Sequence, residues 1–136
     1  MTGPDDGETT PGRFTARPRR PADDTDKRAR LILEADRLLS RLDRAARDGE
    51  DEFIRPVSDS RDIGALALIT LAEFVHRDLP AAVVAQLPGD AVEGLRATRN
   101  IAAHNYSALD NERLWATVTV HAPALLRTIR AALLDG

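Results

Sequence analysis

The stretch LILEADRLLSRLDRAA, residues 31–46, decides the fold class. Leu31, Ala35, Leu38, Leu39, Leu42 and Ala46 recur at intervals of three and four, the period that gathers one apolar stripe along an α-helix. Glu34, Asp36, Arg37, Arg41, Asp43 and Arg44 occupy the remaining faces, where water solvates their charges. Thr25 or Asp26 can cap the start of this helix, and Gly49 is placed to end it. Such a stripe must be buried against another element, so the character of the remaining segments settles the architecture.

Those segments are helical in pattern too. Asp62 to about Asp78 places Ile63, Leu66, Ala67, Leu71, Phe74 and Val75 on a surface broad enough for a central helix. Pro80, Pro88 and Gly89 punctuate a short helical link from Ala81 to Leu87. Asp90 is a good cap for a third main helix that begins at Ala91 and carries Val92, Leu95 and Ile101. Asp110 can cap a last stretch with Leu114, Trp115, Val118, Leu125, Leu126, Ile129 and Leu133, with a kink or break near His121 because Pro123 lies inside the pattern. No alternating strand pattern of useful length and no internal repeat occurs, so the expectation is an all-α bundle.

Composition agrees. The 136 residues are long enough for one domain, and 43% hydrophobic content gives it a core. Aromatics make up only 4%, so that core is built from Leu, Ile, Val and Ala, which suits helix on helix. The absence of cysteine removes disulfides, thiolate metal sites and cysteine nucleophiles, and fits a reducing compartment. With no apolar leader and no apolar run of about 18 residues, the expectation is a cytoplasmic protein outside the membrane.

Residues 1–25 hold four of the eight prolines and, apart from Met1 and Phe14, no large apolar side chain, which reads as a disordered tail ahead of a helical domain over 26–136. The tail runs from acidic, Asp5 to Glu8, to basic, with Arg13, Arg17, Arg19 and Arg20. A solvated linker accounts for this composition better than an RNA- or partner-touching arm does. The formal net charge of −3 leaves no global positive field to hold long nucleic acid, so any contact with RNA must be local.

The chemistry concentrates in RNIAAHNY, residues 99–106. On a continuing helix Asn100 and His104 share a face, and so do Arg99 and Tyr106, whereas Arg99 and His104 stand roughly 140° apart. Arg99 and His104 therefore converge only if the helix ends near His104 or a second subunit closes the site. An imidazole at His104 can move a proton to or from a ribose 2′-OH or a leaving oxygen. Arg99 can hold a phosphate and offset its developing charge, and Asn100 can orient either group. A 2′-OH nucleophile would make the reaction specific for RNA over DNA. The same residues also suit a plainer role as helix-end caps and surface contacts, and spacing does not separate the two.

RNIAAHNY resembles the Arg, four residues, His, any residue, Tyr motif of HEPN proteins of the HepT type, including the Asn after the Arg. Downstream, LDNERLWATVTVHAPALLRTI resembles the stretch that follows the motif, with Trp115 and Pro123; upstream, Glu73 and Leu79-Pro80 fit the same layout, so the resemblance covers roughly residues 26–134. It implies an antiparallel bundle of about four to five helices, commonly a homodimer with the motif near the interface. It also implies a metal-independent endoribonuclease toxin acting on tRNA or mRNA, with Arg99, Asn100 and His104 as catalytic residues and no cofactor or metal. The partner it implies is an MNT-type nucleotidyltransferase antitoxin, which in some relatives modifies the motif tyrosine, here Tyr106, with AMP. Added bulk and negative charge would there oppose an approaching phosphate. Arg96-Ala97-Thr98 differs from the more apolar lead-in of the family, and the Pro-rich tail is additional.

The other candidates read as structural. His76 and His121 lack metal-ligand spacing, and His76 reads as a surface helix residue. Trp115 reads as a core or interface anchor before a base-stacking platform. Glu73 reads as an exposed helix position, with pairing to an arginine such as Arg99 as its alternative. No phosphate-binding glycine loop and no serine-nucleophile turn occurs. Two readings remain: a ribonuclease toxin, or a non-catalytic HEPN module that binds a nucleotidyltransferase.

Overall fold

The computed structural model describes residues 21–135, and among them it is all-α, with four long helical rods and two short helices. Helix α1, Pro21–Ala46, buries Leu31, Ala35, Leu38, Leu42 and Ala45. The expected stripe is therefore present, with Ala45 at its end where Ala46 was expected and Leu39 only partly buried. The helix starts ahead of Thr25 and Asp26. Proline suits a first helical position, where its missing N–H has no bond to lose, and Asp23 and Asp24 sit in the first turn, where carboxylates favour the positive end of the helix dipole. Residues 1–20 of the expected tail lie outside the described residues.

Gly49 follows α1 with φ +91 and ψ 171, a conformation almost reserved for glycine, and turns the chain into the short α2, Glu50–Phe53. Phe53 is fully buried. Helix α3, Asp59–Glu73, starts three residues earlier than expected because Ser58, not a later residue, caps it: its Oγ accepts from the Arg61 N–H at 3.0 Å. A π turn, Phe74–Asp78, prolongs α3, and the Leu79 N–H bonds back to the Phe74 carbonyl. Leu79 must be extended because Pro80 follows it, which stops the rod.

Helix α3 is central, as its broad apolar surface implied. It packs on α1 along one side and on α5, Gly89–His104, along the other, while the short α4, Ala81–Val84, joins them. At Gly64 the close packing is explicit: an added Cβ would stand 3.0 Å from both Phe53 Cε2 and Val118 Cγ2. The last rod comprises α6, Asn111–Ala116, a π turn, Thr117–His121, and α7, Ala122–Asp135. Asp110 caps it as expected, accepting from the Glu112 and Arg113 N–H groups at 2.9 and 3.2 Å.

The kink or break expected near His121 takes the form of a π turn, Thr117–His121, and not of a break in the rod. In an α-turn the ring of Pro123 would collide with the Thr119 carbonyl; the wider π turn directly upstream accommodates it, and the rod runs on. Helix α7 lies on α1, where Arg130 Nε and Asp36 Oδ1 pair at 2.9 Å. Trp115 is partly buried with its ring centroid 5.1 Å from that of Phe53, the anchoring role read from the sequence. No helix among the described residues is long and apolar enough to cross a membrane.

Candidate functional site

Helix α5 is the edge of the bundle. It packs chiefly on α3, and Leu95 is its only buried residue, so most of its circumference is open. On the side turned to α3, Arg96, Arg99 and Asn100 fall at helical spacing; Ala72, Glu73, His76 and Arg77 face them across a hollow of about 300 Å³.

Glu73 organises this hollow. Its Oε2 pairs with Arg99 Nη2 at 2.8 Å and its Oε1 with Arg77 Nη2 at 2.8 Å, so one carboxylate holds two guanidinia. Arg99 Nη1 also donates to Asn100 Oδ1 at 3.2 Å. Pairing with Arg99, the less favoured alternative for Glu73, is what the structure has, and its carboxylate is 29% exposed, not open to solvent as expected. The pair is possible because α3 and α5 are close neighbours here, a long-range fact that the local pattern around Glu73 does not carry.

The motif is thus brought together in part. Arg99 and Asn100 share the hollow; His104, the last residue of α5, is exposed and does not line it. The helix does end at His104, the condition under which convergence was expected, yet Arg99 is drawn inward to Glu73. The exit from the motif is held on both sides. The Asn105 N–H bonds to the Ile101 carbonyl at 2.7 Å, and Arg61 donates to the Leu109 carbonyl and to Asn111 Oδ1. Tyr106 opens a 3₁₀ turn, Tyr106–Ala108; its side chain lies outside the described part, so the expectation for its hydroxyl does too.

Sequence reasoning missed Arg61, Arg77 and Arg96 as parts of this region. Arg61 meets residues some fifty positions away, for which one sequence holds no signal. Arg96 and Arg77 were open to detection: each lies at helical spacing from a residue already singled out, Arg99 and Glu73 respectively. His76, exposed as expected, borders the same hollow. Among the described residues no three His, Asp or Glu side chains gather as a metal-ligand group.

An all-helical bundle whose edge helix ends on an Arg-Asn…His-x-Tyr motif defines a HEPN-type protein. The chain belongs to the HepT-like ribonuclease family: the family model, described as ribonuclease HepT-like, matches residues 36–132, from within α1 to near the end of α7, with the motif inside. No curated protein and no solved structure matches the chain.

Proposed function

We propose that this chain is a metal-independent endoribonuclease toxin in which His104, Arg99 and Asn100 cleave RNA by internal transfer. The observation that carries the reading is the position of the motif: it ends an edge helix in the open, in a chain of the HepT-like ribonuclease family. In that reaction His104 takes the proton of a ribose 2′-OH as its oxygen attacks the adjacent phosphorus. The P–O5′ bond breaks, leaving a 2′,3′-cyclic phosphate and a 5′-hydroxyl that takes up a proton. Arg99 offsets charge on the phosphate oxygens, and Asn100 holds the guanidinium in place.

Since Arg99 turns to Glu73 and His104 does not, the reading includes a second copy of the chain that brings the motifs of two subunits together. Ile101 on α5 and Leu66 on α3, 43% and 58% exposed, supply apolar surface for it. The substrate class is tRNA or mRNA. The restraining partner is an MNT-type nucleotidyltransferase acting on Tyr106.

Purified cellular RNA, incubated with wild type and with His104→Ala prepared in parallel, tests the proposal with and without EDTA. Wild-type cleavage that persists in EDTA and vanishes in the variant is the expected result. A second reading is favoured by the ion pairing of Arg99: a non-catalytic HEPN module, in which Glu73 and Arg99 fix α5 on α3 and the protein serves to bind the nucleotidyltransferase. Equal RNA patterns from both preparations would support it.

A further inference from the structure

The hollow between α3 and α5 holds more positive charge than one carboxylate balances. Arg77, Arg96 and Arg99 converge there, His76 stands beside them, and Glu73 is the only acid in the lining. Guanidinia are planar forks whose paired N–H groups match the oxygens of a phosphate, and they keep their charge at any physiological pH. In a chain of net charge −3, a concentration of this kind makes a local place for an anion where the molecule as a whole repels one. A volume of about 300 Å³ lies at the small end of ligand sites, enough for a phosphodiester and part of its sugar.

We propose that this hollow is a phosphate subsite for the RNA backbone, in which Arg96, Arg77 and His76 hold a phosphate flanking the one that reacts at His104. The proposal rests on the ribonuclease reading and adds a second point of attachment to it. Arg96 lies eight residues before His104 on the same helix, hence roughly 12 Å away along its axis. One phosphate does not span that distance, so a strand laid along α5 presents one phosphate to the helix end and another to the hollow. Glu73 is the counterion that keeps Arg77 and Arg99 poised while the hollow is empty, and an entering phosphate competes with it for the Arg77 N–H groups.

The probe is a short RNA of 2′-O-methyl nucleotides, which binds without being cut, titrated against wild type, Arg96→Gln, Glu73→Gln and, for charge control, Arg41→Gln on α1. Arg96→Gln should weaken binding about tenfold, as loss of a charge-assisted bond does, and lower the slope of log K against log salt by about 0.7, the single-strand value per phosphate. Glu73→Gln should tighten binding several-fold, a sign that a merely structural role for the pair does not produce. Arg41→Gln should match wild type. With cleavable RNA, Arg96→Gln should raise KM more than it lowers kcat. If Arg96→Gln binds like Arg41→Gln while wild type cleaves RNA in a His104-dependent way, the subsite is overturned and the ribonuclease reading stands. If wild type binds the probe through Arg96 but cuts no RNA, the subsite stands and the ribonuclease reading falls. Failure of wild type to bind the probe overturns the subsite.

Discussion

Glu73 shows how much a single side chain can decide. It spends both carboxylate oxygens on arginines from two helices, and so sets where Arg99 points before any substrate arrives. Partly exposed ion pairs of this kind contribute little to stability, so their main effect here is orientation. Tyr106 is the other decisive position, because it follows the end of α5 by two residues and opens the turn after the motif. In the reaction proposed above, an AMP group attached there would bring a bulky anion to the end of the helix that the RNA approaches. Co-expression with the proposed nucleotidyltransferase partner should therefore raise the intact mass by one or more AMP units, and Tyr106→Phe should abolish the increase. An unchanged wild-type mass would count against the modification; an increase that survives Tyr106→Phe would place it elsewhere.

At the scale of the helices, Gly64 is where α3 comes closest to its neighbours. Phe53 and Val118 are fully buried and have nowhere to retreat from an added methyl group. Overpacking of this kind costs about 1–3 kcal/mol, against a gain of up to about 1 kcal/mol from replacing a mid-helix glycine. Gly64→Ala should thus lower the urea midpoint at constant m-value, by about 1 kcal/mol in net stability. A raised midpoint would mean that the contact is slack. The elements themselves were legible where the signal is local. The α1 stripe, the cap at Asp110 and the proline link after α3 can all be read within a few residues. The starts of α1 and α3 were placed late: a charged first turn has no apolar period to announce it, and Ser58 competed with other capping residues nearby. The two π turns were not legible, because no residue type favours them strongly; they arise from how the core on one side and a proline on the other must be reconciled. The site divided in the same way. Arg99, Asn100 and His104 stood out as a cluster in sequence, whereas the partners that hold them, Glu73 from α3 and Arg61 against Leu109 and Asn111, come together only in the folded chain.

For the whole molecule the open side of α5 is the main consequence of the architecture. A bundle helix flanked chiefly by one neighbour leaves its far side to water or to another chain, and His104 stands exposed at its end while Arg99 and Asn100 turn to α3. Replacing Leu66 and Ile101 together by Glu should leave the monomer folded, since both side chains stand well into solvent, while shifting the proposed dimer to monomer in light scattering. RNA cleavage should fall with it if the working site takes Arg99 from one copy and His104 from the other. A double variant that remains dimeric would remove this face from the interface, and a monomeric variant that still cleaves at the wild-type rate would show each chain to be self-sufficient.

The widened turn at Thr117–His121 governs phase along the last rod. Among its buried side chains, Leu114, Val118, Ala122 and Leu126 follow one another at a spacing of four. In a regular α-helix each step of four overshoots a full turn by about 40°, so three such steps would carry the stripe roughly a third of the way around the rod. A turn with extra residues takes up that overshoot, and Leu126, Ile129 and Leu133 return to the core. The segment therefore behaves like an insertion already absorbed: removing one residue from it would regularise the turn and shorten the span from Leu114 to Leu126 to eleven residues, within about 20° of three full α-turns, so that the inner face of α7 would still meet the core. The rod between Leu114 and Leu126 thus tolerates the loss of one residue better than the gain of another, which would add about 100° of rotation and turn the inner face of α7 outward.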